Sequence, residues 1–152
     1  MTRQAVIHLA AAFSVALAAS SAHAHHSHVY FYDQCKSITV EGPVESVQFK
    51  DPHTLIILRA KDGTAYTVDW KGMSALTTAG TLGPAKAALV SGARIAVTGR
   101  PIRTGAEIRE HSPEYTHEPN PRTVDPTLIR RVGDGWSWAA PPIQNPPDCK
   151  GK

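Results

Sequence analysis

The chain has 152 residues, 16 Lys and Arg against 13 Asp and Glu, and a formal charge of +3 with histidines neutral. This length supports one domain with a modest core. The charges are scattered among one another, which excludes the concentrated basic stripe of a nucleic-acid binder.

The amino terminus reads as a secretory signal over residues 1–24. Arg3 supplies a positive start, and Ala5 to Ala19 is apolar apart from His8 and Ser14. Ser20 and Ser21 end the run, and Ala22-His23-Ala24 fits the small-x-small rule of signal peptidase. The run is short and Ala-rich for a membrane span, which needs ~20 apolar residues; an uncleaved anchor is the alternative. No stable membrane anchor is expected after cleavage, and no cysteine follows for lipid attachment. Removing Arg3 and no acid lowers the charge from +3 to +2. The expected location is the periplasm or the medium.

Two cysteines, Cys35 and Cys149, then lie in an exported chain. An oxidising compartment makes a disulfide the default. Closing a loop of about 115 residues is worth about 4–5 kcal/mol in the chain-entropy model. A redox or metal-binding pair is the alternative, but the C-x-x-C spacing is missing.

From Ile38 the pattern becomes extended. "ITVEGPVESVQF" places Val40, Val44 and Val47 on a first strand, with Gly42-Pro43 marking a bulge or bend. "DPH" at residues 51–53 is a turn in which Asp51 can cap with its side chain. "TLIILRA", a Lys61-Asp62-Gly63 turn and "TAYTVDW" follow, and Asp-Gly between two β-rich runs predicts a hairpin. Residues 71–91 are Ala-rich. They predict a helical turn near Met73 to Thr77 and a helix from Pro84 to Val90, with Gly92 as its C′ residue. "ARIAVTGRPI" is a fourth strand with Ile95, Val97 and Ile102 inward. Residues 103–126 are Pro-rich, charged and aperiodic, a long loop or insertion. "TLIRRV" is a fifth strand. Residues 133–152 carry four prolines among the last twelve and read as an irregular tail. Trp136 and Trp138 are expected to lie over the domain, with Cys149 pinning the end.

Three meandering strands, a short helical connection and two more strands predict a mainly β fold, a small OB-like five-stranded barrel over residues 25–132. A small sandwich is the alternative. The fold alone carries no function. A single-strand binder would need aromatic platforms in a basic groove, and the middle strands offer only Tyr66 and Trp70.

These features together resemble a family of small exported bacterial proteins of unknown function. The resemblance rests on His25-His26-Ser27, the strand Val40-x-Gly42-x-Val44-x-x-Val47, the Pro52-His53 turn before an apolar strand, and the Val97–Pro101 "VTGRP" strand. It covers about residues 24–102. It implies a small exported β-barrel and brings no activity with it. The family usually carries Asn where this chain has Asp51.

Four of the eight histidines fall within "AHAHHSH" at residues 22–28. Cleavage after Ala24 makes His25 the first residue. Its α-amine and Nδ1 then chelate Cu(II), and a third imidazole completes a nitrogen set that copper favours. Cleavage after Ala22 instead puts His25 third, which also binds Cu(II) or Ni(II). The expected metal residues are His25, His53, His28 and His26, with copper as the cofactor. His111, Glu114 and His117 are spaced by three, a set that would suit zinc, but Pro113 opposes a shared helix face. The alternative is that the terminal histidines are solvated and His53 merely serves its turn. No nucleophile elbow, H-E-x-x-H motif, phosphate-cradling loop or haem-attachment motif occurs, so binding rather than catalysis is expected. A metal-free module is the rival reading. It would contact a glycan, a peptide or an envelope protein through Tyr66, Trp70, Trp136 or Trp138.

Overall fold

A computed structural model describes residues 28–143 and residue 149. The expected signal segment, His25 and His26 lie outside the described residues.

The elements in chain order are α1 (His28–Phe31), β1 (Ile38–Gln48), β2 (His53–Arg59) and β3 (Ala65–Lys71). Then come α2 (Met73–Thr78), α3 (Leu82–Ala88), β4 (Arg94–Pro101), α4 (Gly105–Arg109), β5 (Thr123–Arg131) and β6 (Ser137–Ala139). The strands lie in the order β3-β2-β1-β4-β5-β6. A parallel pairing of Thr67–Val68 with Thr123–Val124 joins β3 to β5 and closes five strands into a ring. With the helical connection between β3 and β4, this is the mainly β, OB-like order expected from the sequence.

β1 serves two partners. Ile38–Pro43 pairs with β4, and Val44–Gln48 pairs with β2, with a register shift between Val44 and Ser46. Its buried residues alternate through Val40, Gly42 and Val44, the period-2 pattern of a one-sided strand. Gly42 is needed for a close approach: a Cβ there would lie 1.8 Å from the Arg59 carbonyl oxygen. The Asp62-Gly63 hairpin forms as predicted, with Gly63 at φ 84°.

Two connections differ from expectation. α3 ends at Ala88, short of Gly92, and the helix closed by a glycine is α2, at Gly80. Gly80 has φ 67°, donates to Thr77 O, and is followed by Thr81 donating to Leu76 O, the paired bonds of a Schellman end. Gly92 instead turns the chain into β4. α3 begins two residues before Pro84, because proline is tolerated through a first turn whose N–H groups have no helical partner. α2 has no side-chain cap of its own. Asp51, from the β1–β2 turn, accepts from Ser74 N at 2.9 Å and Ser74 Oγ at 2.6 Å.

The core fills the ring with Val40, Val44, Ile56, Leu58, Val68, Trp70, Ile95, Val97, Val124 and Ile129. Leu76, Ala85 and Leu89 close it from the α2–α3 connection.

The carboxy-terminal third corrects the sequence reading most. The expected loop over 103–126 contains α4, held by a capping box between Thr104 and Glu107. β5 starts at Thr123 rather than Thr127. Pro126 is accommodated because a register shift between Thr98 and Gly99 faces it, where the ladder needs no N–H. The tail is not wholly irregular: β6 pairs Ser137–Ala139 with Arg130–Leu128. Cys149 is joined to Cys35, with Cα atoms 5.4 Å apart. Among the described residues, no helix is long and apolar enough to cross a membrane.

Candidate functional site

The ring is incomplete on one side. β3 meets β5 only at Thr67 and Val68. Farther along, the same edge of β5 takes β6, so Asp69–Lys71 diverge from it. A cleft of about 290 Å³ lies in this seam, lined among others by His53, Trp70, Lys71, Arg100, Asp125 and Trp138. Trp70, fully buried, meets the half-buried Trp138 edge to face, with ring centroids 5.1 Å apart. Lys71 Nζ lies 5.9 Å from the Trp138 ring centre, within cation–π range. Arg100 Nη1 donates to Asp125 Oδ2 at 3.0 Å, with both side chains less than one fifth exposed.

Behind the cleft a single carboxylate ties two distant segments together. Asp69 Oδ1 lies 2.7 Å from His53 Nδ1, and Asp69 Oδ2 accepts the Tyr32 hydroxyl at 2.6 Å. Local structure explains each position. His53 opens β2 directly after the Asp51-Pro52 turn and stands opposite Lys71. Asp69 lies on β3, on the same sheet face as its neighbour His53. Tyr32 reaches Asp69 because its segment is fastened to the end of β4 and to the residues that follow it. Tyr32 bridges Ile102, Asp33 N donates to Pro101 O at 2.9 Å, and Arg103 N donates to Phe31 O at 2.8 Å. Burial pushes the Tyr32 phenol well above its ordinary value, and the Asp69 charge and hydrogen bond push it further.

The structure therefore brings together three of the residues singled out in the sequence: His53, Trp70 and Trp138. His28 lies in α1, four residues before Tyr32. Tyr66 and Trp136 pack against the core and do not line the cleft. The His111, Glu114 and His117 spacing does not make a joint site. His111 stacks on Tyr30 with centroids 5.4 Å apart, while His117 meets Tyr115 edge to face at 6.2 Å. Among the described residues, no group of three or more His, Cys, Asp or Glu is arranged to hold a metal. Tyr32, Asp69, Lys71, Arg100 and Asp125 were missed by the sequence reading. Their meeting depends on strand register and ring closure, and only the "TGRP" strand carried a hint of Arg100.

Chemically, a carboxylate set against Nδ1 favours an imidazole orientation that leaves Nε2 as the atom for a ligand or proton. The adjoining cleft adds aromatic walls and cations.

Fold and site thus define a small five-stranded OB-like ring protein with an Asp-oriented histidine beside a Trp-walled cleft. The chain belongs to the family of unknown function DUF6152, whose model matches residues 11–109. That span includes Tyr32, His53, Asp69 and Arg100, and ends before β5 and β6. No curated protein matches the chain. Among solved structures, a chain in the crystal structure of the S. pombe Stn1-Ten1 complex is similar at 9% identity and a TM-score of 0.44. The similarity covers 64% of this chain and 59% of that one, less than two thirds of its length.

Proposed function

We propose that the protein is exported and binds copper, acting as a binder rather than an enzyme. Cleavage after Ala24 leaves His25 to chelate Cu(II) through its α-amine and Nδ1, and His53 adds a third nitrogen through Nε2. His26 and His28 stand in reserve on the same segment. The observation that carries this reading is the shared carboxylate of Asp69, which touches His53 and anchors Tyr32. Tyr32 is seven residues from His25, a stretch that reaches at most ~25 Å when fully extended. The one carboxylate thus orients the fixed imidazole and tethers the segment bearing the mobile chelate, as outer-sphere carboxylates do at metal–histidine sites. The Cys35–Cys149 disulfide supports an oxidising compartment.

The test is expression with the native signal, intact-mass measurement of the mature start, and Cu(II) titration followed by EPR. The expected result is loss of residues 1–24 and tight binding with a nitrogen-rich axial spectrum. That spectrum should change in His25→Ala and His53→Ala, with about 10–100-fold weaker binding in Asp69→Asn. Weak binding indifferent to all three changes overturns the reading.

A second reading, the metal-free envelope module, is favoured by the cleft in which Trp70 and Trp138 meet. It expects His25→Ala to be silent and Trp138 changes to matter.

A further inference from the structure

We propose that the seam cleft between β3 and β6 binds a small organic monocarboxylate with an apolar body. The inference rests on the second, cleft-based reading and gives that site a ligand class.

Size comes first. About 290 Å³ is at the small end of ligand pockets, which run from ~300 Å³ upward. It suits a single ring or short aliphatic body rather than a folded partner's surface. The walls are chiefly apolar, with Trp138, Pro126 and Ile143 among them. Trp70 is fully buried, so it offers no open face on which a sugar ring could stack.

Charge comes second. The charged side chains lining the cleft are Lys71 and Arg100 against Asp125, with His53 beside them. That leaves an excess of one positive charge with the imidazole neutral. Asp69 keeps its negative charge but is not among the lining residues, with one oxygen against His53 and the other on the Tyr32 hydroxyl, so an anion would be held by direct contacts with Lys71 and Arg100 rather than by a net positive field. Lys71 is exposed and, among the described residues, pairs with no carboxylate; its ammonium is held near Trp138 instead. The Arg100–Asp125 pair uses Nη1 alone. It fixes a guanidinium at the cleft while further N–H donors remain for an incoming carboxylate, the geometry such groups recognise best. An anion accepting from Lys71 and Arg100, with its apolar body against Trp138, satisfies walls and charge together.

Trp70 and Trp138 are two of the three tryptophans, so intrinsic fluorescence reports the site directly. The mature, disulfide-bonded chain is titrated with phenylacetate and with its uncharged twin, phenylacetamide. The inference expects saturable quenching by phenylacetate and at least ~10-fold weaker binding of the amide, the scale of one lost charge-assisted bond. Lys71→Gln should weaken phenylacetate ~10-fold and leave the amide unchanged. Lys86→Gln should change neither; Lys86 sits 5.7 Å from the Phe49 ring, outside the cleft. Because Lys71 is exposed, its replacement leaves the fold intact. Equal binding of acid and amide, or indifference to Lys71→Gln, overturns the inference and leaves the cleft reading standing. No saturable quenching by either compound also overturns the inference; the cleft reading falls only if Trp138 changes prove silent as well.

Discussion

The Tyr32 hydroxyl donates to Asp69 Oδ2 at 2.6 Å across 37 residues of sequence. The contact couples the segment ahead of β1 to the middle of β3, with Tyr32 buried and Asp69 partly buried. It is where the fold and the proposed site meet.

Tyr32→Phe should therefore destabilise the protein by about 1–2 kcal/mol at neutral pH, the cost of leaving a partly buried acceptor without its donor. Urea unfolding followed by tryptophan fluorescence measures it. The alkaline side adds a sign. The phenol's ordinary value is 10.0, and burial, then Asp69, raise it in the folded chain. The native state thus keeps a proton that the unfolded chain releases. Tyr32's contribution is complete below pH ~10 and is lost as pH rises above it. Tyr32→Phe should lack this loss, so the two stability curves should converge above pH ~10.

Gly42→Ala should cost about 3 kcal/mol or more, because its methyl group would collide with backbone that only a strand movement can shift. The midpoint of chemical unfolding should fall sharply. An unchanged midpoint would show that β1 and β2 do not cross as described.

Asp51 links the β1–β2 turn to α2. The Ser74 hydroxyl first, and the Ser74 N–H second, hold its carboxyl below the usual value. Its contribution is present above the unfolded carboxylate value, about pH 4, and is lost as pH falls through the lower folded value. Thermal melts at pH 7 should rank the native chain first, Asp51→Asn second and Asp51→Ala last. Asparagine keeps an acceptor for Ser74, whereas alanine keeps none. The gap between native and Asp51→Ala should shrink in acid.

Much of this fold could be read from residues alone. The alternating valines of β1, the Asp62-Gly63 hairpin and the Ala-rich connection each carry a short-range physical signal. β6 carried none, since three residues show no periodicity. β5 was shortened at Pro126 because a missing N–H argues against a strand, and only the facing register shift at Gly99 makes it harmless. His53 was legible as a candidate from its Pro-containing turn. Its partner was not: Asp69 reads as the polar half of an alternation, and Tyr32 as one aromatic among several. Their meeting is set by pairing register and by the closure of β3 on β5, which nothing local encodes.

Replacing Cys35 and Cys149 with serine should lower stability by about 2–5 kcal/mol, with the chain-entropy estimate near the upper end. Native and reduced proteins compared in urea give the value. The loss should appear in the unfolding midpoint more than in the native fluorescence, since the cross-link acts largely on the unfolded chain.

The same bond makes residues 35–149 a covalent circle. A single cut in the charged stretch between α4 and β5 would give two polypeptides that cannot separate. The piece bearing β1–β4 and the piece bearing β5–β6 would stay joined through sulfur as well as through the β4–β5 and β3–β5 pairings. Such a nicked molecule would run as one species on a denaturing gel until reductant is added, then as two. Such a cut would therefore remove neither the histidine that opens β2 nor the tryptophan of β6 from the same particle.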